Sequence, residues 1–273
     1  MEYYLQKKKI IKNREMRNFT FKGLFLAAMF MVLGSLAIQA ADDGLITKQI
    51  TVKLEKAGTL RDKIGSTKRD KITNLKIIGE INGSDWRVIR EMAGRSYYND
   101  GTDGKLAILD LSEAKIVRGG DYYYYDYEEF YTHDNELGTH AFYGCRGLTS
   151  LTLPSGLTSI GSWAFTGCSG LTSLSLPSGL TSIGVGAFSG CSGLTSLSLS
   201  SGLTSIGDVA FSGCSGLTSI YVYAEKMPKL GTNMFDGCDA KKCTVYVPKG
   251  TYDDYWLSEF GYFDRVSSSM FQY

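Results

Sequence analysis

Residues 160–182 read Ile160-Gly-Ser-Trp-Ala-Phe-Thr-Gly-Cys-Ser-Gly-Leu-Thr-Ser-Leu-Ser-Leu-Pro-Ser-Gly-Leu-Thr-Ser182, and at Ile183 nearly the same sentence begins again. Phe142, Phe165, Phe188 and Phe211 recur at 23 residues, as do Cys145, Cys168, Cys191 and Cys214. Self-similarity at a period of about 20–50 residues marks a stacked array and outranks any isolated helix or strand assignment.

Within one copy Leu171-x-x-Leu174-x-Leu176 is the spacing of a repeat strand, and alternation through Leu174 and Leu176 turns those leucines inward and leaves Ser173 and Ser175 outside, with Leu171 also inward. Ile160, Ala164, Phe165, Cys168 and Leu180 complete the inward set. A single copy leaves both of its apolar sides open, so neighbours must cover one another. The prediction is a solenoid, mostly β with short turns and helices. It has a parallel sheet on one face, a phenylalanine ladder inside and irregular caps at both ends. Pro154 and Pro177 fall at strand ends, where a missing N–H is tolerated. The outer sheet face is a hydroxyl ladder (Ser150, Thr152, Ser173, Ser175, Ser196, Ser198, Ser219) that ends in Tyr221 and Tyr223.

The repeat Ile-Gly-x-x-Ala-Phe-x-Gly-Cys-x-x-Leu-x-x-Leu-x-Leu-Pro resembles the BspA-type, or Treponema pallidum-type, leucine-rich repeat over Ala141–Ser219. Ala57-Gly-Thr-Leu60, Ile77–Gly83, Arg90–Gly94 and Leu109–Ser112 are similar to the amino-terminal part of such proteins, and Val245–Gly250 to their closing segment. The resemblance implies a leucine-rich-repeat solenoid in a secreted or surface-exposed protein of a host-associated bacterium. Some members are adhesins for host extracellular-matrix proteins. It implies no catalysis.

Four segments divide the chain: a signal peptide over 1–41, an N-terminal cap of degenerate repeats over 42–137, regular repeats over 138–237 and a C-terminal cap over 238–273. The first 41 residues hold seven Lys/Arg against two acids, then an uncharged apolar run from Gly23 to Ile38. Ile38-Gln-Ala40 offers a small-residue cleavage site, as in a secretory leader. The alternative is a retained anchor, for which the run is short. Met16 competes with Met1 as the start. The remainder carries 22 basic and 26 acidic residues, which argues against nucleic-acid binding. In the N-terminal cap, Ile50–Leu54 and Ile72–Ile78 read as strands, Ser84 as the N-cap of a short helix, and Lys105–Ser112 as a degenerate repeat strand. In the C-terminal cap, Cys243–Pro248 reads as a closing strand. Tyr252–Val266 reads as an amphipathic cover whose Trp256 and Phe260 belong to the core.

Asp121-Tyr-Tyr-Tyr-Tyr-Asp-Tyr-Glu-Glu-Phe-Tyr131 sets seven aromatics and four acids in eleven residues. Strand alternation cannot bury them all, so several rings face solvent. Tyrosine offers large, stiff contact area with a polar tip. Tyr122, Tyr123, Tyr124, Tyr125, Tyr127 and Tyr131 are therefore candidate partner-binding residues. The competing reading folds the same loop over the cap as packing. Trp163, Tyr221 and Tyr223 are further candidates, with Trp163 equally readable as a packing residue.

No catalytic, metal or cofactor site is expected. The sequence has two histidines, His133 and His140, neither at zinc-ligand spacing. Asn99-Asp-Gly-Thr-Asp-Gly104 lacks the closing Glu of a calcium loop and reads as a turn. Equivalent cysteines point in parallel, so the row reads as buried thiols rather than disulfides. Cys238 and Cys243 form the pair best placed to bridge. The chain is thus expected to be an exported interaction protein, secreted or at the cell surface with the periplasm as runner-up, and without a membrane span once the leader is cleaved. Its expected partner is a host extracellular-matrix or serum protein. The alternatives are a glycan-binding module and a surface component without a discrete ligand.

Overall fold

The computed structural model describes residues 44–268. The leader assigned to residues 1–41 lies outside them. In chain order the strands open with β1 (Ile50–Leu54), β2 (Asn74–Ile81), β3 (Ile108–Ile116), β4 (Gly119–Tyr125), β5 (Glu129–Thr132) and β6 (Glu136–Leu137). The repeats contribute β7 (Ser150–Thr152), β8 (Ser159–Ile160), β9 (Ser173–Ser175), β10 (Ser182–Ile183), β11 (Ser196–Leu199) and β12 (Ser205–Ile206). The chain closes with β13 (Ser219–Val222), β14 (Lys229–Leu230), β15 (Thr244–Tyr246) and β16 (Arg265–Ser267). Helices α1 (Leu60–Ile64), α2 (Ser66–Arg69) and α3 (Gly83–Met92) lie in the N-terminal part, and α4 (Tyr252–Trp256) lies near the C-terminus.

This is a leucine-rich-repeat fold. Each repeat contributes a strand to a long-strand sheet and a two-residue strand to a second, narrow sheet. The narrow sheet is continuous in the order β14-β12-β10-β8-β6, with Leu137, Ile160, Ile183, Ile206 and Leu230 in register. Its ladder is reinforced by side chains: the hydroxyls of Thr158, Thr181 and Thr204 each donate to the carbonyl one coil earlier.

Between the sheets the five rings Phe142, Phe165, Phe188, Phe211 and Phe235 stack at 5.0–5.7 Å, within 7–11° of parallel. Trp86 closes the stack edge-on at one end, 5.4 Å from Phe142. Phe260 and Phe263 close it at the other, 5.3 and 4.9 Å from Phe235. Beside the rings, the thiols of Cys168, Cys191, Cys214 and Cys238 each donate to a phenylalanine carbonyl of the preceding coil, at 3.0–3.4 Å. All six cysteines are free, Cys238 and Cys243 included.

Four expectations need correction. The long-strand sheet is not continuous: β1-β2-β3-β7-β9 and β11-β13-β15-β16 are separate sheets. Strands β9 and β11 lie in the same sequence, Leu-Thr-Ser-Leu-Ser-Leu, and the copies first differ at the residue that follows. Pro177 succeeds the first, whereas Ser200 succeeds the second and donates its hydroxyl to the carbonyl of Leu180 at 3.0 Å. At the parting Leu174 and Leu176 are only half-buried, although Leu151 and Leu197 in equivalent strands are buried.

The N-cap of α3 is Asn82, not Ser84. The Asn82 side chain accepts from Ser84 N at 3.1 Å while Asp85 accepts from Asn82 N at 3.0 Å, a reciprocal capping box. The second strand runs Asn74–Ile81 rather than Ile72–Ile78, since Ile72 forms only an isolated bridge to Ile46. Trp256 is not core. Helix α4 makes little more than one turn, and Tyr255 takes its inward position; Trp256 is left exposed against Tyr252, with their rings 6.0 Å apart.

Candidate interaction surface

The aromatic insertion forms a two-stranded hairpin, β4 against β5. Its register slips: Gly119 faces Thr132, yet Tyr124 faces Phe130, so β4 uses more residues than β5 over the same span. Such a bulge turns two consecutive side chains to one side. Tyr123 and Tyr124 accordingly both go inward, where they are 1% and 5% exposed. Tyr123 donates to the carbonyl of Thr139 at 2.7 Å and meets Trp86 edge-on at 6.5 Å. Tyr124 stacks on His140 at 4.6 Å and lies 4.9 Å from the guanidinium of Arg90. These two rings are anchors and present nothing to a partner, which removes them from the candidate set.

Phe130 packs against Tyr124 and His140, while the remaining tyrosines lie toward the surface and meet two more rings from the N-terminal part. Tyr97 packs on Tyr98 at 4.3 Å and on Tyr122 at 5.5 Å. Tyr125 meets Tyr98 at 5.6 Å, and Tyr131 meets Tyr122 at 6.3 Å. Arg87 of α3 sits over the rings of Tyr122 and Tyr97 at 4.0 and 4.4 Å and donates from Nε to the Tyr122 carbonyl. Tyr127 projects from the hairpin tip, 97% exposed. Tyr98, Tyr125 and Tyr131 are exposed as well. Tyr97, Tyr98 and Arg87 were not singled out from the sequence. The available signal was the Tyr97-Tyr98 pair, which is alone among the aromatics between Trp86 and Tyr122.

Two phenols of the cluster, Tyr98 and Tyr131, are raised. A hydrogen bond to Glu129, 2.5 Å from the Tyr131 hydroxyl, raises that phenol, and the neighbouring Tyr97 pushes Tyr98 up to about 12. Behind the hairpin, burial and then the nearby Arg90 charge hold His140 down to about 4, against the pull of Asp126.

The other candidates belong to the repeats rather than to the hairpin. Trp163 is half-buried over Gly186 of the next coil, and a Cβ on Gly186 would collide with the indole. Tyr221 is half-buried in a stack on Tyr246 at 4.9 Å. Tyr223 is exposed and lines a cleft of about 610 Å³ with Leu176, Ser198, Ser200 and Lys249, beside the parting of the long-strand sheet. A second cleft, about 400 Å³, lies beside the hairpin and is lined by Glu129, Tyr131, His133, Glu136 and Ser159. Among the described residues no three His, Cys, Asp or Glu side chains are grouped to hold a metal ion, and no helix is long and apolar enough to cross a membrane.

Residues 130–252 match the BspA type leucine rich repeat region in 6 copies. This stretch is a BspA-type leucine-rich-repeat region. The chain is 30% identical to a T. pallidum leucine-rich repeat protein over 48% of this chain and 62% of that one, with a TM-score of 0.41. A leucine-rich repeat protein from Bacteroides ovatus is 21% identical over 81% of this chain and 65% of its own, with a TM-score of 0.37. A leucine-rich cell surface protein from Faecalibacterium prausnitzii is 23% identical over 48% and 45%, with a TM-score of 0.29. The chain spans less than two thirds of the length of each. No curated protein matches it. The BspA-type region begins at Phe130, within β5, so the tyrosines from Tyr122 to Tyr127 stand just ahead of it.

Proposed function

We propose that this chain is an exported interaction protein in which a BspA-type array carries the β4–β5 hairpin to a protein partner. The partner proposed is a host extracellular-matrix or serum protein, met at the bacterial surface. The observation that carries the reading is the surface ring cluster built from Tyr98, Tyr125 and Tyr131, which are exposed, and Tyr97 and Tyr122, which are half-buried beneath them. Its backing is rigid. Tyr123 and Tyr124 are packed into the core below it, and Arg87 is clamped between two of its members. A pre-ordered aromatic surface loses little conformational freedom on binding, which favours affinity. Export rests on the basic and apolar run over residues 1–41.

Capture of matrix and serum proteins on immobilised full-length chain tests this. Tyr125→Ser together with Tyr127→Asn should lower capture, whereas substitutions on the serine ladder should not. Capture that is indifferent to the hairpin variant overturns the assignment. A second reading, glycan binding, is favoured by one observation: the cleft of about 610 Å³ combines several serine hydroxyls with the Tyr223 ring. A glycan array on the parent chain and on Tyr223→Ala addresses it directly.

A further inference from the structure

We infer that the outer face of the β4–β5 hairpin seats an arginine-rich segment of its protein partner. This rests on the hairpin being the binding surface and adds the chemistry of the segment it takes. Three observations converge. From Gly119 to Glu136 the chain has six acids (Asp121, Asp126, Glu128, Glu129, Asp134, Glu136) and no Lys or Arg. Elsewhere in the N-terminal part most carboxylates are paired: Glu55, Asp70, Glu80, Glu91, Asp110 and Glu113 each meet a Lys or Arg, against four of the described ones that do not (Asp62, Asp85, Asp100, Asp103). None of these six acids, four of them on the hairpin itself and Asp134 and Glu136 just beyond it, makes an ion pair among the described residues.

The rings have also shown which cation they accept. Arg87 lies 4.0 and 4.4 Å from the centroids of Tyr122 and Tyr97, so a guanidinium is already seated on this cluster. A planar guanidinium stacks on an aromatic face and pairs with a carboxylate fork; an ammonium does the first poorly. Finally, rings and acids alternate along the tip. Tyr125 and Tyr127 bracket Asp126, and Glu128 and Glu129 come next, all of them exposed. Each incoming arginine thus meets a ring and a carboxylate within a residue or two of each other. A surface with this charge disfavours an acidic or phosphorylated partner by like-charge repulsion.

The test uses full-length chain and three short fluorescent peptides: alternating Arg-Gly, alternating Lys-Gly and alternating Ser-Gly. Anisotropy should report binding of the arginine peptide, weaker binding of the lysine peptide and none of the serine peptide. Asp126→Asn with Glu128→Gln and Glu129→Gln should weaken arginine-peptide binding about tenfold, as should Tyr125→Ser with Tyr127→Asn. A control with the same change in charge, Glu55→Gln with Asp62→Asn and Glu225→Gln, should leave it intact. Equal binding of the arginine and lysine peptides, or equal loss in the control, overturns the inference, because net charge alone then accounts for the signal. Failure of the arginine peptide to bind overturns it too. If host-protein capture then still falls in the tyrosine variant, the surface survives and only its proposed chemistry is lost. If no hairpin variant changes capture, the surface itself is wrongly assigned.

Discussion

The imidazole of His140 lies 4.6 Å from the ring of Tyr124, 22° from parallel, at the point where the hairpin is pinned to the first repeat. Phe130 and Tyr143 meet the same imidazole edge-on at 5.2 and 5.3 Å. Arg90 stands behind, donating to the carbonyls of His140, Ala141 and Ser96, with no carboxylate as partner among the described residues. Nδ1 of His140 is buried without a hydrogen bond. The site therefore accommodates a neutral imidazole and resists a second positive charge beside Arg90.

That arrangement has a pH signature. His140 is held down to about 4 in the folded chain, chiefly by burial, whereas an unfolded histidine titrates near its ordinary value of about 6.5. Between those values the unfolded chain binds the extra proton. Stability is therefore complete above about pH 6.5 and declines as pH falls through 4, by about 2 kcal/mol after allowing for partial exposure. His140→Asn, which suits the left-handed backbone at this position (φ 59°), should flatten the dependence between pH 7 and pH 5. Melting temperatures across that range check it; an unchanged slope would mean the histidine is not the sensor.

The hairpin tyrosines should divide sharply by position. Tyr123 and Tyr124 are buried, so truncating either to Ser should cost about 3–5 kcal/mol, as for other large buried aromatics. Tyr127→Asn should change stability by about 0.5 kcal/mol or less, and Tyr125→Ser, which also loses an edge-on contact with Tyr98, by about 1 kcal/mol. Urea denaturation of the four single variants measures this. A large loss at Tyr127 would mean that the tip is folded back in solution.

Much of the molecule was legible from the repeat. The 23-residue spacing placed Phe142, Phe165, Phe188 and Phe211 in one stack, and the same spacing placed the cysteines beside them. Stacking is a one-dimensional constraint, so period alone determines which side chains meet. The hairpin was harder to read, because its geometry depends on a bulge that no local propensity encodes; Tyr123 and Tyr124 look identical to Tyr122 and Tyr125 in sequence. Arg87, Tyr97 and Tyr98 come to the cluster from separate elements through tertiary packing, which spacing cannot reveal. Strands β9 and β11 part although they share one sequence, so periodicity was bound to miss the division.

One position in each coil carries hidden strain. His140, Trp163, Gly186, Val209 and Asn233 are equivalent, and all have φ between 48 and 59°. Glycine and asparagine adopt this conformation readily, whereas a β-branched valine does so at a cost of about 1–2 kcal/mol. Val209→Asn should therefore stabilise the chain by about 1 kcal/mol. Gly186→Val should do the reverse and by more, since its side chain would also strike Trp163. Paired thermal melts decide it: if Val209→Asn gains nothing, packing of the valine offsets the backbone strain.

The thiol row makes the last prediction. Burial pushes Cys191 up to about 12, with Cys168 and Cys214 likewise well above their ordinary value. Cys243 and Cys238 rise to about 12 and about 11 for the same reason. The thiolate is the nucleophile, so at pH 8 Cys191 is overwhelmingly in the unreactive thiol form and is also shielded from reagent. Iodoacetamide should leave the native chain unmodified and alkylate all six cysteines in denaturant. Alkylation in the native state would have to pass through opening of the coil stack, and its rate would then track the unfolding equilibrium. Recovery of only four reactive thiols in denaturant would instead place a disulfide between Cys238 and Cys243, the two that stand outside the regular 23-residue row.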